Sequence, residues 1–309
     1  MQSDINGVLN IYKEKGYTSH DVTALIRKTL GRVKAGHAGT LDPQAVGVLP
    51  VCVGAATKIA DYIGDDKRYR AELILGLSTD TEDSGGQVLE RCEVNWNETD
   101  IEQAIHGFEG DIQQTPPMYS AVKVHGRKLY ELARAGQTVE RKARCVRVGK
   151  IKILERRPVT HSLLIDVTCS KGTYIRTLCA DIGRQLGCGG CMGELTRLRS
   201  GPFLLEESVT ISRVQEIAAE NRLADVLRKI ETVLPFPQIF MPETQEKVIR
   251  SGHPVRQEYA ASGAPIDGVS APGEKALLML GGEAAGIYTL TEDSGRMWYK
   301  PVVLFIGAR

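Results

Sequence analysis

Residues 146–157, VRVGKIKILERR, run through the short turn RPVT into HSLLIDVTCS at 161–170. Both segments read as strands, and so brief a turn suggests a hairpin, whose strands pair antiparallel. The rest of the chain must be built around that pair. It offers no regular strand–helix–strand alternation, so the fold class expected is α+β with a mixed or antiparallel sheet.

Other elements follow by pattern. GVLNIYK, 7–13, reads as a first strand, and TSHDVTALIRKTLG as a helix with Ser19 as its cap. Val22, Leu25, Ile26 and Leu30 make the apolar stripe, and Gly31 ends it. GHAGTLDPQAVGVLPVCVGAATK, 36–58, is a glycine-rich loop leading to the apolar segment 48–53. RYRAELILG, 68–76, alternates like a half-buried strand. Thr99 and Glu102 fit a capping box for a helix carrying Ile101, Ile105 and Phe108. TPPMYSAVKVHG is a proline-broken loop, and LYELARAG a short helix stopped by Gly136. YIRTLCADIGRQLG looks helical, and Ser212 opens a further helix. LPFPQIFMP, 234–242, holds three prolines and reads as a linker. Glycine-punctuated strands follow, KALLMLGG, AAGIYTLT and MWYKPVVLF, which suggest a small β-barrel-like module. With 309 residues, two domains are expected: 1–233 and 234–309.

Composition narrows the functional classes. The chain is 42% hydrophobic and 25% charged, ordinary for a soluble globular protein, and has no apolar run of about 18 residues that would span a membrane. The first residues lack the pattern of a signal peptide, so a cytoplasmic location is the default. Seven cysteines, an odd number, suggest reduced thiols. Cys188 and Cys191 form a CxxC with no second pair to complete a zinc site; two small buried thiols beside a glycine turn are expected. The net charge of +1 says nothing about partners, but its distribution does. Lysines and arginines crowd 123–157, and acids crowd 80–111. The basic stretch is either a face for a polyanion or a solvated strand pair.

The segment 36–58 closely resembles the signature of the TruB family, the tRNA pseudouridine-55 synthases, in its bacterial type. NGVLNIYKEKGYTSHDV, KRYRAELILGLSTDTEDSGGQV, QTPPMYSAVKVHGRKLYELARAGQTVERKARCVRV, VTCSKGTYIRTLCADIGRQLG and LTRLRSGPF are similar to further family blocks, in the family's order. The dense resemblance covers about 7–205, and the C-terminal part is more loosely similar to the family's RNA-binding PUA domain. One departure is Glu14, where the family usually has proline after the lysine equivalent to Lys13. The resemblance implies a pseudouridine synthase fold: a mixed, largely antiparallel sheet with helices and loops around a central cleft, plus a C-terminal PUA-like domain.

It also implies a chemistry. Pseudouridine formation cuts the bond between ribose and uracil, turns the base, and rejoins it through carbon. No redox step or energy input is needed, so no cofactor and no metal are expected. By the resemblance, Asp42 is the catalytic aspartate, ionised at neutral pH because its ordinary pKa is about 4. Gly39 and Pro43 would constrain its loop. Arg176 matches the arginine that pairs with it, Tyr69 the tyrosine that stacks on the target base, and Tyr174 a second pocket tyrosine. Leu198 matches an apolar pocket wall, with Leu195 close enough to compete. His37 matches the histidine that fills the space left by flipped bases. Taken one at a time, these residues would read as a turn former, a surface arginine, strand aromatics, core leucines and a loop histidine.

The expected partner is tRNA, through its T stem-loop; no membrane and no protein partner are implied, and a monomer is expected. The uridine must be everted before a carboxylate reaches it. Two other readings exist. An RNA chaperone could use the same cleft without needing Asp42. An aspartate-based phosphotransferase would want further acids for magnesium, which the GTLDP loop does not offer. The sequence leaves open whether Asp42 attacks the ribose or the uracil ring.

Overall fold

The computed structural model describes residues 5–124, 126–260, 269 and 271–306. His125 of the proline-broken loop, residues 1–4 and 307–309 of the two expected domains, and 261–268 and 270 lie outside them.

In chain order the first half contains β1 (Gly7–Lys13), α1 (Ser19–Thr29), β2 (Ala35–His37), β3 (Val46–Val53), β4 (Lys67–Leu75), β5 (Leu77–Thr79), β6 (Val88–Arg91), α2 (Glu98–His106) and β7 (Gly110–Gln114). The second stretch has β8 (Lys123–Val124), β9 (Arg127–Lys128), α3 (Leu129–Arg134), β10 (Arg144–Arg157), β11 (Ser162–Cys169), α4 (Ile175–Gln185), β12 (Gly190–Ser200) and β13 (Phe203–Leu204). Then come α5 (Ile211–Ala219), β14 (Leu227–Arg228), α6 (Ile230–Val233), β15 (Gln238–Met241), α7 (Glu246–Arg250), β16 (Val255–Arg256), β17 (Lys275–Leu280), β18 (Glu283–Asp293) and β19 (Arg296–Leu304).

The hairpin forms as the sequence predicts: β10 and β11 pair antiparallel, and His161 takes the left-handed φ of 48° that turns the chain back. It sits inside a ten-stranded sheet of order β14-β1-β3-β12-β4-β11-β10-β7, with β13 beside β12 and β2 beside β3. Its pairs are antiparallel except β3 with β12, among the described residues. That parallel contact is short, Thr196 opposite Val46 and Arg197 opposite Gly47. Gly47 makes it possible: its φ is +105°, and a Cβ there would come within 2.3 Å of the Arg197 carbonyl oxygen.

Two helices cover the central strands. The buried side chains of β4, β10 and β11, with Leu178, Cys179 and Ile182 of α4 and Ile101 and Ile105 of α2, form one apolar core. At the other end, Leu9, Ile11, Leu49 and Val51 pack with Val22 and Ile26 of α1 and Val214 of α5. The expected mixed, largely antiparallel α+β architecture is therefore present.

Three local expectations need correction. Thr18, not Ser19, caps α1: its hydroxyl accepts from the Asp21 amide, and the Asp21 carboxylate accepts from the Thr18 amide. Asn97 caps α2 in place of the Thr99–Glu102 box, its side chain accepting from the Thr99 and Asp100 amides. The proline-rich stretch 234–242 is no free linker. It supplies β15, which pairs parallel with β17 in a second sheet of order β15-β17-β18-β19-β16. Prolines at 235, 237 and 242 bracket that strand rather than interrupt it. This curled sheet shares an apolar core with the first: Leu277, Met279 and Ile287 pack with Val8, Val48, Ile59 and Phe203.

Candidate active site

The loop between β2 and β3 carries Asp42, and three buried polar side chains hold it. Ser19 Oγ accepts from the Leu41 amide at 2.9 Å and donates to the Leu41 carbonyl at 3.1 Å. Lys13, fully buried, donates to the Pro43 carbonyl at 3.1 Å and to those of Glu14 and Tyr17. Arg197, fully buried as well, donates to the carbonyls of Val48 (2.6 Å), Thr40 (3.2 Å) and Gly39 (3.2 Å). Backbone groups of residues 39–43 are thus bonded on both sides of the aspartate, which leaves its carboxylate little room to wander. Glu14 offers only its backbone to this arrangement and is exposed, so its replacing proline leaves the clamp intact.

Facing the loop is the start of α4. Arg176 lies along the Asp42 carboxylate, Nε 3.0 Å from Oδ2 and Nη2 3.4 Å from Oδ1. The guanidinium is 5% exposed and is fixed from behind by the carbonyls of Thr81 (3.1 Å) and Tyr119 (2.8 Å). Such a planar fork orients a carboxylate as a lysine could not. Asp42 keeps 40% of its side chain exposed while its partner is enclosed, so the pair opens toward solvent on the carboxylate side. Burial by the cleft walls raises the Asp42 carboxyl above its ordinary value; Arg176 pulls it back, and Asp83 pushes it up.

Asp83 is a second acid that the GTLDP loop did not reveal. It comes from the β5–β6 turn and lies 3.9 Å from Arg176 Nη1. Its carboxylate is engaged with the Gly85 amide and the Thr81 hydroxyl. Among the described residues no three His, Cys, Asp or Glu side chains gather as a metal site.

Tyr69 is 6% exposed and belongs to the apolar cluster that also contains Leu41, Ala45 and Ile175, beside the loop. Burial raises its phenol, which stays protonated. Tyr174 is half-buried at the N-cap position of α4. The buried Gln114 side chain grips its backbone, accepting from its amide at 2.7 Å and donating to its carbonyl at 3.0 Å. Leu198 is half-buried at a bulge, where the pairing of β12 with β4 skips from Arg197 to Arg199. Leu195 is buried in the central core, which separates the two competing leucines. His37 is half-buried in β2; burial, then Arg197, lowers its pKa, and its Nδ1 is buried with no partner among the described residues. Asp42, Arg176 and Tyr69 therefore come together around one loop, and His37 and Tyr174 flank it.

Sequence reasoning missed Lys13, Ser19 and Arg197 as parts of the site. A signal existed for two of them. Lys13 follows Leu9 and Ile11 at inward strand positions, and Arg197 follows Leu195, so each puts a cation where the alternation calls for an apolar side chain. The cysteines are as expected: Cys188 and Cys191 are both buried, and Cys188 stands between glycines of positive φ at 187 and 189. Of the basic stretch, Arg144, Arg147, Lys150 and Lys152 are exposed on β10.

Comparison with known proteins identifies the family. Residues 27–175 match the model of the TruB family pseudouridylate synthase N-terminal domain. Residues 176–235 match that of the tRNA pseudouridylate synthase B C-terminal domain. The chain belongs to the TruB family. Among similar members, the tRNA pseudouridine synthase B of Alkaliphilus oremlandii is 43% identical over 96% of this chain and 97% of its own. That of Levilactobacillus brevis is 39% identical over 97% and 99%. Solved structures extend the likeness beyond the bacterial TruB proteins. A Cbf5–Nop10–Gar1 complex contains a chain with TM-score 0.73 at 27% identity, covering 97% of this chain and 85% of that one. An H/ACA RNP bound to a substrate RNA containing 2′-deoxyuridine gives 0.72 at 26%, with the same coverage. The pseudouridine synthase fold expected of a TruB protein is thus the fold observed. Among the described residues no helix is long and apolar enough to cross a membrane.

Proposed function

We propose that this chain isomerises uridine to pseudouridine in tRNA, at position 55 of the T loop, with Asp42 as nucleophile. The observation that carries the reading is the Asp42–Arg176 pair: a carboxylate held on a clamped loop, open to solvent, with an enclosed guanidinium along its edge. The paired guanidinium favours the ionised carboxylate, which is the attacking form. In the reaction Asp42 attacks the everted nucleoside, and the bond between ribose and uracil breaks. The base turns in the pocket and rejoins through carbon 5, the bond to Asp42 is released, and the proton lost from carbon 5 is matched by one gained at N1. Atoms and electrons balance without an oxidant or a co-reactant. Tyr69 and Tyr174 give the base flat faces to lie against, Leu198 an apolar wall, and His37 fills the gap left in the RNA. Cations on β10 meet the phosphate backbone, and the C-terminal sheet serves as a PUA-like module with contacts further along the tRNA.

The test is to incubate the purified chain with unmodified tRNA transcript, without added cofactor, and map pseudouridine by position. Product at uridine 55 is expected, with Asp42→Asn lowering its rate by about 10³-fold or more while RNA binding persists. Product only at other positions would overturn the specificity. An active Asp42→Asn variant would overturn the mechanism, and binding with no product from the unaltered chain would favour an RNA chaperone.

A further inference from the structure

Lys67 opens β4, two residues before Tyr69 and so on the same face of the strand. It is partly buried, yet among the described residues its ammonium makes no hydrogen bond or ion pair. Its Nζ lies 2.6 Å from where a Cβ on residue 39 would stand, and Arg197 Nη1 lies 3.6 Å from the same point. Gly39, with φ +86°, leaves that space clear. Two cations therefore converge over the backbone of the Asp42 loop. The nearby carboxylates are occupied elsewhere: Asp65 by Lys171 at 2.8 Å, Asp66 by Arg199 at 3.5 Å, and Asp42 by Arg176. Burial, and next the neighbouring Arg197, pull the Lys67 ammonium down to about 8, against a smaller upward pull that includes Asp65. In the same region the His37 Nδ1 is buried and has no partner among the described residues.

Convergent cations cost free energy until an anion joins them. Gly39 is three residues from Asp42, at most about 11 Å along the chain. An anion seated there belongs to the nucleotide at Asp42 or to its neighbour. We propose that Lys67, seated over Gly39 beside Arg197, binds the RNA phosphate next to the everted uridine and fixes that nucleotide's position over Asp42. Arg197 directs three of its five N–H donors to the carbonyls of Val48, Thr40 and Gly39, so it contributes mainly charge while Lys67 supplies the hydrogen bonds. The inference rests on the RNA-modifying role proposed above, and its test is read by binding alone.

Methylphosphonate linkages, which remove one phosphate charge each, are placed singly around the target uridine of a T stem-loop RNA. Affinity for the full-length chain is then measured. For the unaltered protein one linkage adjacent to the uridine should weaken binding about tenfold, the size expected of one charge-assisted contact. For Lys67→Met that linkage should have no effect, while the others act as before. Its slope of log affinity against log salt should be shallower by about 0.7 to 0.9, one phosphate contact. Lys67→Arg should restore both. Inorganic phosphate should compete with the RNA weakly in the unaltered chain and less in Lys67→Met; strong competition alone, with no linkage mattering, would assign the site to free phosphate and overturn the proposal. Equal responses of the two proteins to every linkage would also overturn it. Should Lys67→Met fail to fold, the scan on the unaltered chain still decides, because a flat profile beside the uridine sinks the idea. An active-site failure is separate: it would show as no product from the unaltered chain whatever the scan gives.

Discussion

Replacing Ser19 by alanine removes one oxygen and leaves the backbone of α1 in place. That oxygen is 2% exposed at residue level and makes both bonds to the Leu41 backbone, at 2.9 and 3.1 Å. Leu41 is itself 4% exposed, so water does not readily replace the lost partner. Two hydrogen bonds vanish, and the two buried Leu41 backbone groups left unpaired cost about 1.5 kcal/mol each. Side-chain volume hardly changes, so no cavity adds to the cost. A destabilisation of about 3 kcal/mol is expected, read as a shift in the urea midpoint at constant m. The residue next to Leu41 is Asp42. A loosened loop that displaces the carboxylate by about 1 Å should lower kcat by about 10²-fold while leaving RNA affinity almost unchanged. Thr18→Ala is the control. It removes the exposed cap of the same helix for about 1 kcal/mol and should leave kcat unaltered. The reasoning is refuted if Ser19→Ala and Thr18→Ala behave alike, or if Ser19→Ala costs under about 0.5 kcal/mol.

Arg176→Lys cannot reach Asp42 and the Thr81 and Tyr119 carbonyls together; single-turnover rates should fall about 10²-fold with RNA binding kept, and an unaffected rate would refute the role of the fork. Gly47→Ala forces a Cβ to 2.3 Å from the Arg197 carbonyl at a φ of +105°; a loss of about 3 kcal/mol or more by denaturant titration is expected, and a loss below about 1 would deny the close approach. Because the Asp42 carboxyl is raised by burial and acts ionised, activity should rise with pH through a midpoint above the ordinary value of about 4; a kcat/KM profile with its acid limb below that value would contradict the assignment.

Much of the fold was legible locally. The β10–β11 hairpin, the stripe of α1 and the strand β4 follow from periodicity and turn chemistry, which act over a few residues. The caps were misread because Ser19 and Thr99 have neighbours, Thr18 and Asn97, with the same capping chemistry, and packing chose between them. The strand β15 went unseen because its four residues stand between prolines, and only pairing with β17 gives them a sheet. Asp42, Arg176 and Tyr69 were nameable through the motifs that hold them, whereas Asp83 entered the site from a distant turn that no local pattern connects to the loop.

The order of apolar and polar residues by itself determined the elements, the α+β class and the candidate side chains, since those depend on alternation, glycine and proline positions, and functional-group chemistry. The tertiary structure alone decided that Ser19, Lys13 and Arg197 should seal the Asp42 loop and that the Lys67 ammonium should stand beside it with no partner among the described residues. A buried cation or hydroxyl has many carbonyls it could satisfy. Which ones it meets is set by the crossing of distant strands, here the short parallel contact of β3 with β12, and no local stretch of sequence encodes that crossing.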